Sequence, residues 1–350
     1  MKVVVDKDIP FIKGVLEPYF DVVYLSGKDI VSDDVADACA MVIRTRTKCN
    51  EKLLENSSVK FIATATIGTD HIDMEYCGKA GITVENAAGC NAGGVMQYVF
   101  TALYALAVKK GFSLPCGNCG EKNVLGVVGV GNVGSRVAEL GEMLGFEVLR
   151  CDPKLKDGCS LDYLLKNSDI VTMHTWLDSK TRGMADADFF AKMKDGAIFI
   201  NASRGEVVDD DALLQNIGRF DAVVIDVWNG EPSINPDLLE KADIATPHIA
   251  GYSYEGKLNG TSMAVRSLAK YFGIEELKDF EVEAESPNTN LLSFYGSDNG
   301  EICRQLTGFF PIFEDDSNLR QNPHDFEKLR SNYKYRREFY VNPTTKTANR

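Results

Sequence analysis

The run Gly129-Val130-Gly131-Asn132-Val133-Gly134, set directly behind the apolar stretch Val124-Leu125-Gly126-Val127-Val128, constrains this chain more than any other feature. Glycines at this spacing, between a strand pattern and a helical one, mark a βα turn built around a ligand. Gly129 permits the tight turn, Gly131 lets backbone approach the ligand, and Gly134 lets the helix pack on the strand. The helix N-terminus, with Asn132 and Val133 in its first turn, then offers unpaired N–H groups to negative charge. That suits the pyrophosphate of a dinucleotide.

The same βα alternation extends over most of the chain. Strands are expected at residues 2–5, 22–25, 41–43, 60–64 and 82–85, and again at 123–128, 147–150, 170–174, 197–201, 222–227 and 244–246. Long helices are expected over 91–106, 133–144 and 254–272. The first is apolar enough to be buried between two domains, and the last should pack back on the first block. At 350 residues the chain exceeds one ordinary core. The pattern predicts an α/β protein with two doubly wound parallel-sheet, Rossmann-like domains. Residues 1–93, completed by 254–280, form the first block, expected to bind substrate, and 94–253 the dinucleotide-binding one. From 281 the pattern changes, and the last 31 residues hold eight Lys/Arg against three Asp/Glu. Residues 281–350 therefore read as a small α+β domain of opposite charge bias.

A net charge of -13 argues against nucleic acid as partner, since phosphate backbones need a basic surface. It also means that an anionic substrate must be met by a local basic patch. No apolar run is long enough for a membrane span, and Met1-Lys2-Val3-Val4-Val5-Asp6 enters a strand with no signal-peptide pattern, so a cytoplasmic protein is expected. The nine cysteines lack regular spacing. Cys39, Cys77 and Cys151 read as small buried hydrophobes. Cys116-Gly117-Asn118-Cys119 is a lone CxxC without a second ligand pair, so no metal is expected.

Residues downstream of the glycine turn suggest the chemistry. Asp152 stands just past the next strand, where a carboxylate accepts a ribose diol and repels a 2′-phosphate, favouring NAD over NADP. Arg204 closes the strand ending at Asn201 and can hold a carboxylate with two hydrogen bonds. Glu231 follows the strand ending near Asp226, and His248 sits at the end of the next. An imidazole titrates near ~6.5 and can take and return a proton around neutrality, with Glu231 beside it fixing the tautomer. Each residue has a bland alternative, as surface arginine, turn glutamate before proline or capped histidine. Three at successive strand ends of one nucleotide-binding sheet point to oxidation of a hydroxy acid. Of the other histidines, His71 could line a cleft or cap a turn, His174 shapes the cofactor site, and His324 lies solvated in the tail.

Several stretches resemble the D-isomer-specific 2-hydroxyacid dehydrogenases. They are Arg44-Thr45-Arg46-Thr47-Lys48, Thr64-Ala65-Thr66-Ile67-Gly68-Thr69-Asp70-His71, Gly89-Cys90-Asn91-Ala92, and PHIAGYSYEG at 247–256. The resemblance implies Arg204 and Glu231 as catalytic residues and His248 as proton donor and acceptor. It implies NAD on the glycine loop, Asp152, Thr175, Ala202, Ser203, Arg204, Asp226 and Gly251, and substrate on Thr45, Thr66 and Tyr252. The segment Phe326-Glu327-Lys328-Leu329-Arg330-Ser331-Asn332-Tyr333, continuing to Arg336-Arg337-Glu338, resembles the dimerisation domain of one branch of that family, which implies a homodimer. Thr45 stands where serine is common, and Trp176 replaces the proline usual after His-Thr. Arg44, Arg46 and Lys48, a basic cluster in an acidic protein, are candidates for a substrate phosphate, and the basic tail is an alternative source of that contact across a dimer. The rival readings are a related dehydrogenase acting on 3-phosphoglycerate and an NADH-sensing interaction protein similar to the NADH-binding corepressors.

Overall fold

The computed structural model describes residues 1–115, 123–294 and 297–341. The Cys116-Gly117-Asn118-Cys119 motif lies outside the described residues. The chain divides into two compact units, Met1–Asn91 with Ser253–Pro287 and Ala92–Tyr252 with Asn288–Arg350.

The first unit is built on a parallel sheet of β1 (Lys2–Asp6), β2 (Asp21–Leu25), β3 (Ala38–Ile43), β4 (Phe61–Thr64) and β5 (Thr83–Asn86), in the order β2-β1-β3-β4-β5. The inner strands are apolar without a break because both their faces are covered. Val3, Val5, Val42 and Phe61 face Val265 and Leu268 of the helix Tyr254–Phe272, whereas Val4, Met41, Ile43 and Ile62 fill a second cluster on the other face. Ser253 caps that helix by accepting the Gly256 N–H, and the left-handed Gly273 ends it. The strand order reverses beside β1, and the carboxyl ends there carry Asp6, the 44–48 loop and Thr66. Ligands bind at such edges in open α/β sheets.

The second unit repeats the scheme with β6 (Val124–Val128), β7 (Glu147–Cys151), β8 (Ile170–Met173), β9 (Ile198–Asn201), β10 (Ala222–Ile225) and β11 (Ile244–Ala245). All are parallel, in the order β11-β10-β9-β8-β6-β7. The helix Ala92–Lys110 buries Tyr98, Phe100, Leu103 and Tyr104 and is apolar on every side. It needs no polar face, because Asn132–Leu144 packs on it and Asn299–Phe309, from the C-terminal segment, covers it again.

That segment shares the unit's core. Ile302, Leu306, Phe310, Ile312 and Phe339 join one apolar cluster, and Leu319 and Phe326 join the other. Where the sequence pattern sets 281–350 apart, packing groups residues 281–287 with the first unit and 288–350 with the second. A short parallel pair, β12 (Leu291–Leu292) and β13 (Tyr340–Val341), closes the segment on itself. Asp316 accepts the Ala245 N–H at 2.7 Å, capping edge strand β11. Arg320 pairs with Asp316 at 2.9 Å and donates to the Ala242 carbonyl at 2.6 Å. Among the described residues no helix is long and apolar enough to cross a membrane.

Asp315 in the same segment accepts the Tyr333 hydroxyl at 2.9 Å, and burial pushes its carboxyl up to about 6. A carboxyl raised on folding favours the folded state only while protonated, so its contribution is lost as pH rises from about 4 to about 6. Thermal melts across that window should show wild type falling relative to Asp315→Asn. Parallel curves would contradict the assignment.

Candidate active site

The cofactor half grows from the end of β6. Gly129 has φ 84°, and a Cβ there would lie 2.7 Å from the His174 carbonyl oxygen, so only glycine fits. At Gly134 a Cβ would run into the Gly129 carbonyl oxygen. Gly131 by contrast faces open space, and as N-cap of the helix Asn132–Leu144 it brings no side-chain acceptor to the first turn. Asp152, just beyond β7, accepts the Val130 N–H on Oδ2 at 2.8 Å and the Lys154 N–H on Oδ1 at 2.9 Å. This ties the carboxylate to the glycine loop, and each oxygen keeps capacity for a diol. The Thr175 hydroxyl is buried with no hydrogen-bond partner among the described residues. An orphaned polar atom at the end of β8 is what a bound polar group would satisfy. A helix N-terminus, a poised carboxylate and a waiting hydroxyl fit a dinucleotide.

His174 bonds through Nε2 to Thr172 Oγ1 at 2.9 Å, and burial pushes its imidazole down to about 3. It stays neutral and structural. Trp176, two residues on, is 53% exposed. Asp152→Ala should raise the KM for NAD by roughly tenfold or more, the effect of losing a hydrogen bond to charge, and narrow the preference over NADP. Unchanged constants for both cofactors would refute the role.

The catalytic half lies at the ends of β9, β10 and β11. Asn201 organises the first loop, accepting the Ser203 N–H at 3.1 Å and hydroxyl at 2.9 Å while donating to the Arg204 carbonyl at 2.9 Å. The Arg204 guanidinium donates to the Ser203 carbonyl at 2.7 Å, and Ala202 precedes them at the strand end. A Cβ on Gly205 would overlap the Trp228 carbonyl group. The Arg204 loop therefore abuts the backbone leading to Glu231.

Asp226 is 1% exposed. Its Oδ1 accepts the Thr246 hydroxyl at 2.7 Å and the Ile249 N–H at 2.8 Å, and its Oδ2 accepts the Ala250 N–H at 3.0 Å, with capacity left for one more donor. Burial pushes its carboxyl up, against the pull of His248 and these donors. Inside this staple His248 adopts φ 57°, a left-handed conformation costing about 1–3 kcal/mol for a residue with a Cβ. Its N–H donates to the Asp226 carbonyl at 2.7 Å.

The His248 side chain meets Glu231, with Nδ1 at 2.8 Å from Oε2 and 3.0 Å from Oε1. A carboxylate can only accept, so Nδ1 carries the hydrogen, and in the neutral ring the lone pair is then on Nε2. Burial pushes the Glu231 carboxyl up, but His248, Arg330 and the Trp228 N–H outweigh it and hold it below the ordinary carboxylate range. Of the residues singled out from sequence, the structure brings Glu231 and His248 into contact and sets Asp226, Gly251 and Tyr252 around the same loop.

In the first unit, Arg44 donates to the Asp8 carbonyl at 2.8 Å, and Thr45, Arg46 and Lys48 are exposed beside it. Thr66 Oγ1 lies 2.6 Å from Thr64 Oγ1, which lies 3.4 Å from His71 Nε2. Burial pushes His71 down to about 4, so it is neutral near pH 7.

Three groups escape sequence reasoning. Thr246 bridges Asp226 and, at 2.8 Å, the Tyr98 hydroxyl. Arg336, buried over the Phe310 ring at 4.0 Å, donates to the carbonyls of Gly94, Ile249, Ala250 and Tyr252. Arg330 stands 3.7 Å from Glu231 Oε2. In the sequence both arginines show only as part of the tail's basic excess and of the stretch resembling a dimerisation domain, neither of which points to these contacts.

Residues 111–250 match the family model described as D-isomer specific 2-hydroxyacid dehydrogenase, NAD binding domain. An erythronate-4-phosphate dehydrogenase of Bacteroides fragilis is 42% identical over 351 residues, covering 97% of each chain. One of Escherichia coli O157:H7 is 40% identical, covering 97% of this chain and 92% of its own. The chain belongs to the erythronate-4-phosphate dehydrogenase family. It is an oxidoreductase that uses NAD. Among solved structures, D-lactate dehydrogenase of Aquifex aeolicus with NAD and lactic acid aligns with TM-score 0.66 at 29% identity, covering 82% of this chain and all of its own. An NAD-bound 3-phosphoglycerate dehydrogenase of Entamoeba histolytica shares the fold, with TM-score 0.67 at 24% identity, covering 81% of this chain and 99% of its own. These neighbours are spanned end to end yet leave almost a fifth of this chain unmatched. The erythronate-4-phosphate dehydrogenases match nearly all of it.

Proposed function

We propose that this enzyme oxidises 4-phospho-D-erythronate at C2 to (R)-3-hydroxy-2-oxo-4-phosphooxybutanoate, serving vitamin B6 synthesis, as a cytoplasmic homodimer. The observation that carries the reading is the Glu231 and His248 pair at the carboxyl edge of a dinucleotide-type sheet. Bound NAD supplies the hydride acceptor. Arg204 grips the substrate carboxylate with its planar fork. His248 Nε2 takes the proton of the C2 hydroxyl, and Glu231 steadies the imidazolium through Nδ1–H. Thr175, Asp152, Ala202, Ser203, Asp226, Gly251 and the glycine loop hold the cofactor. Thr45, Thr66 and Tyr252 orient the substrate, and Arg44 and Arg46 with Lys48 meet its phosphate.

The test is purified protein with 4-phospho-D-erythronate, NAD and a 2-oxo acid, followed by NADH absorbance. The result expected is turnover well above that with 3-phosphoglycerate, and the reverse preference would overturn the substrate assignment. His248→Asn should cost on the order of a hundredfold or more in kcat. Near-normal kcat would remove His248 from the base role. Arg44→Ala and Arg46→Ala should each raise KM for the phosphorylated acid, and unchanged KM in both would move the phosphate elsewhere. Tight NADH binding without turnover of any hydroxy acid would favour a sensing role instead. Sedimentation of the intact chain tests the dimer. Truncation after Pro287 does not, because it strips Ile302, Leu306, Phe310 and Phe326 from the unit's core.

A further inference from the structure

The C-terminal segment sends one charged side chain to the acid–base pair. Arg330, on the helix Phe326–Ser331, brings Nη1 to 3.7 Å from Glu231 Oε2. Its Nε is buried with no hydrogen-bond partner among the described residues, while its guanidinium hydrogen-bonds to the Tyr252 side chain. Tyr252 lies against it, with its ring 6.1 Å from Tyr333 and 6.3 Å from Tyr335 and its carbonyl taken by Arg336 at 2.8 Å.

The charges around His248 show what this contact does. From the loop after β10 it faces Asp226 and Glu231, both carboxylates; Arg330 on the helix Phe326–Ser331 acts on Glu231, with Tyr252 and Glu327 in its own field, and Arg336 acts on Asp226. Two carboxylates beside an imidazole favour its protonated form, which is useless as a base. A cation on the far side of Glu231 offsets them.

We propose that Arg330 is a positioning residue for hydroxy-acid oxidation, holding the Glu231 carboxylate and Tyr252 in place and offsetting the negative charge beside His248. This rests on His248 being the base. It gives the C-terminal segment a part in the reaction.

The test is the pH profile of kcat/KM for oxidation of 4-phospho-D-erythronate in wild type, Arg330→Gln, Arg330→Lys and Glu327→Gln, with NADH affinity and thermal transition measured alongside. Removing the cation should move the acid limb of Arg330→Gln upward by about half to one pH unit, with NADH affinity kept. Arg330→Lys should restore the limb to within a few tenths. Glu327 is exposed, so its substitution spares the fold, and it strengthens the field of Arg330. Glu327→Gln should move the limb down by a few tenths, and it decides the matter if Arg330→Gln fails to fold. Superimposed profiles, or a limb moved by Lys as far as by Gln, would overturn the proposal. Full turnover in His248→Asn would instead sink the underlying reading, whereas a dead His248→Asn with unmoved limbs sinks only the role of Arg330.

Discussion

The buried carboxylate of Asp226 is the constraint on which the reacting end of this molecule depends. It gathers three donors from the 246–250 loop and, through its own carbonyl, the backbone N–H of His248. Hydrogen bonds to a charged acceptor contribute about 1.5–3 kcal/mol each, enough together to offset the left-handed backbone at His248. That backbone turns the imidazole towards Glu231. Without the staple the loop would relax to an ordinary conformation, and the pair would come apart.

Both units obey one architectural rule. Parallel strands buried on both faces deliver their carboxyl ends to one edge, and each polar group singled out for chemistry sits within a few residues of such an end. Close backbone approaches at Gly129, Gly134 and Gly205 draw neighbouring loops together where any side chain would hold them apart. The glycine turn thereby meets Asp152 through the Val130 N–H, and Gly205 brings the Arg204 loop to the backbone before Glu231.

Much of this was legible in the sequence because it rests on local rules. Eleven strands and three long helices follow from apolar runs and helical periodicity, with ends shifted by no more than a few residues, as for Ala92–Lys110 against the expected 91–106. Arg204, Glu231 and His248 stand out because strand ends are visible locally. The tail was less legible. Its helices are short, and its buried contacts involve residues far away in the chain, such as Arg336 with Gly94 and Asp316 with Ala245. Charge bias describes what a segment carries and says nothing about which partner buries it. Arg330 and Arg336 look like two more basic residues until Glu231 and the 249–252 carbonyls are beside them.

The C-terminal segment is thus a brace for this loop. Arg336 grips the carbonyls that follow His248 while Asp226 grips the N–H groups of the same loop, so the loop carrying the imidazole is held from both sides. The most direct measurement is the proton resonance of His248 Nδ1–H in ligand-free protein, where cofactor affinity does not enter. Wild type should show a downfield signal protected from exchange, and Asp226→Asn, which sets an amide donor among N–H donors, should lose it while keeping a cooperative thermal transition. Persistence of that signal in Asp226→Asn would mean that something other than the buried carboxylate aims the imidazole, and the account would fail at its root.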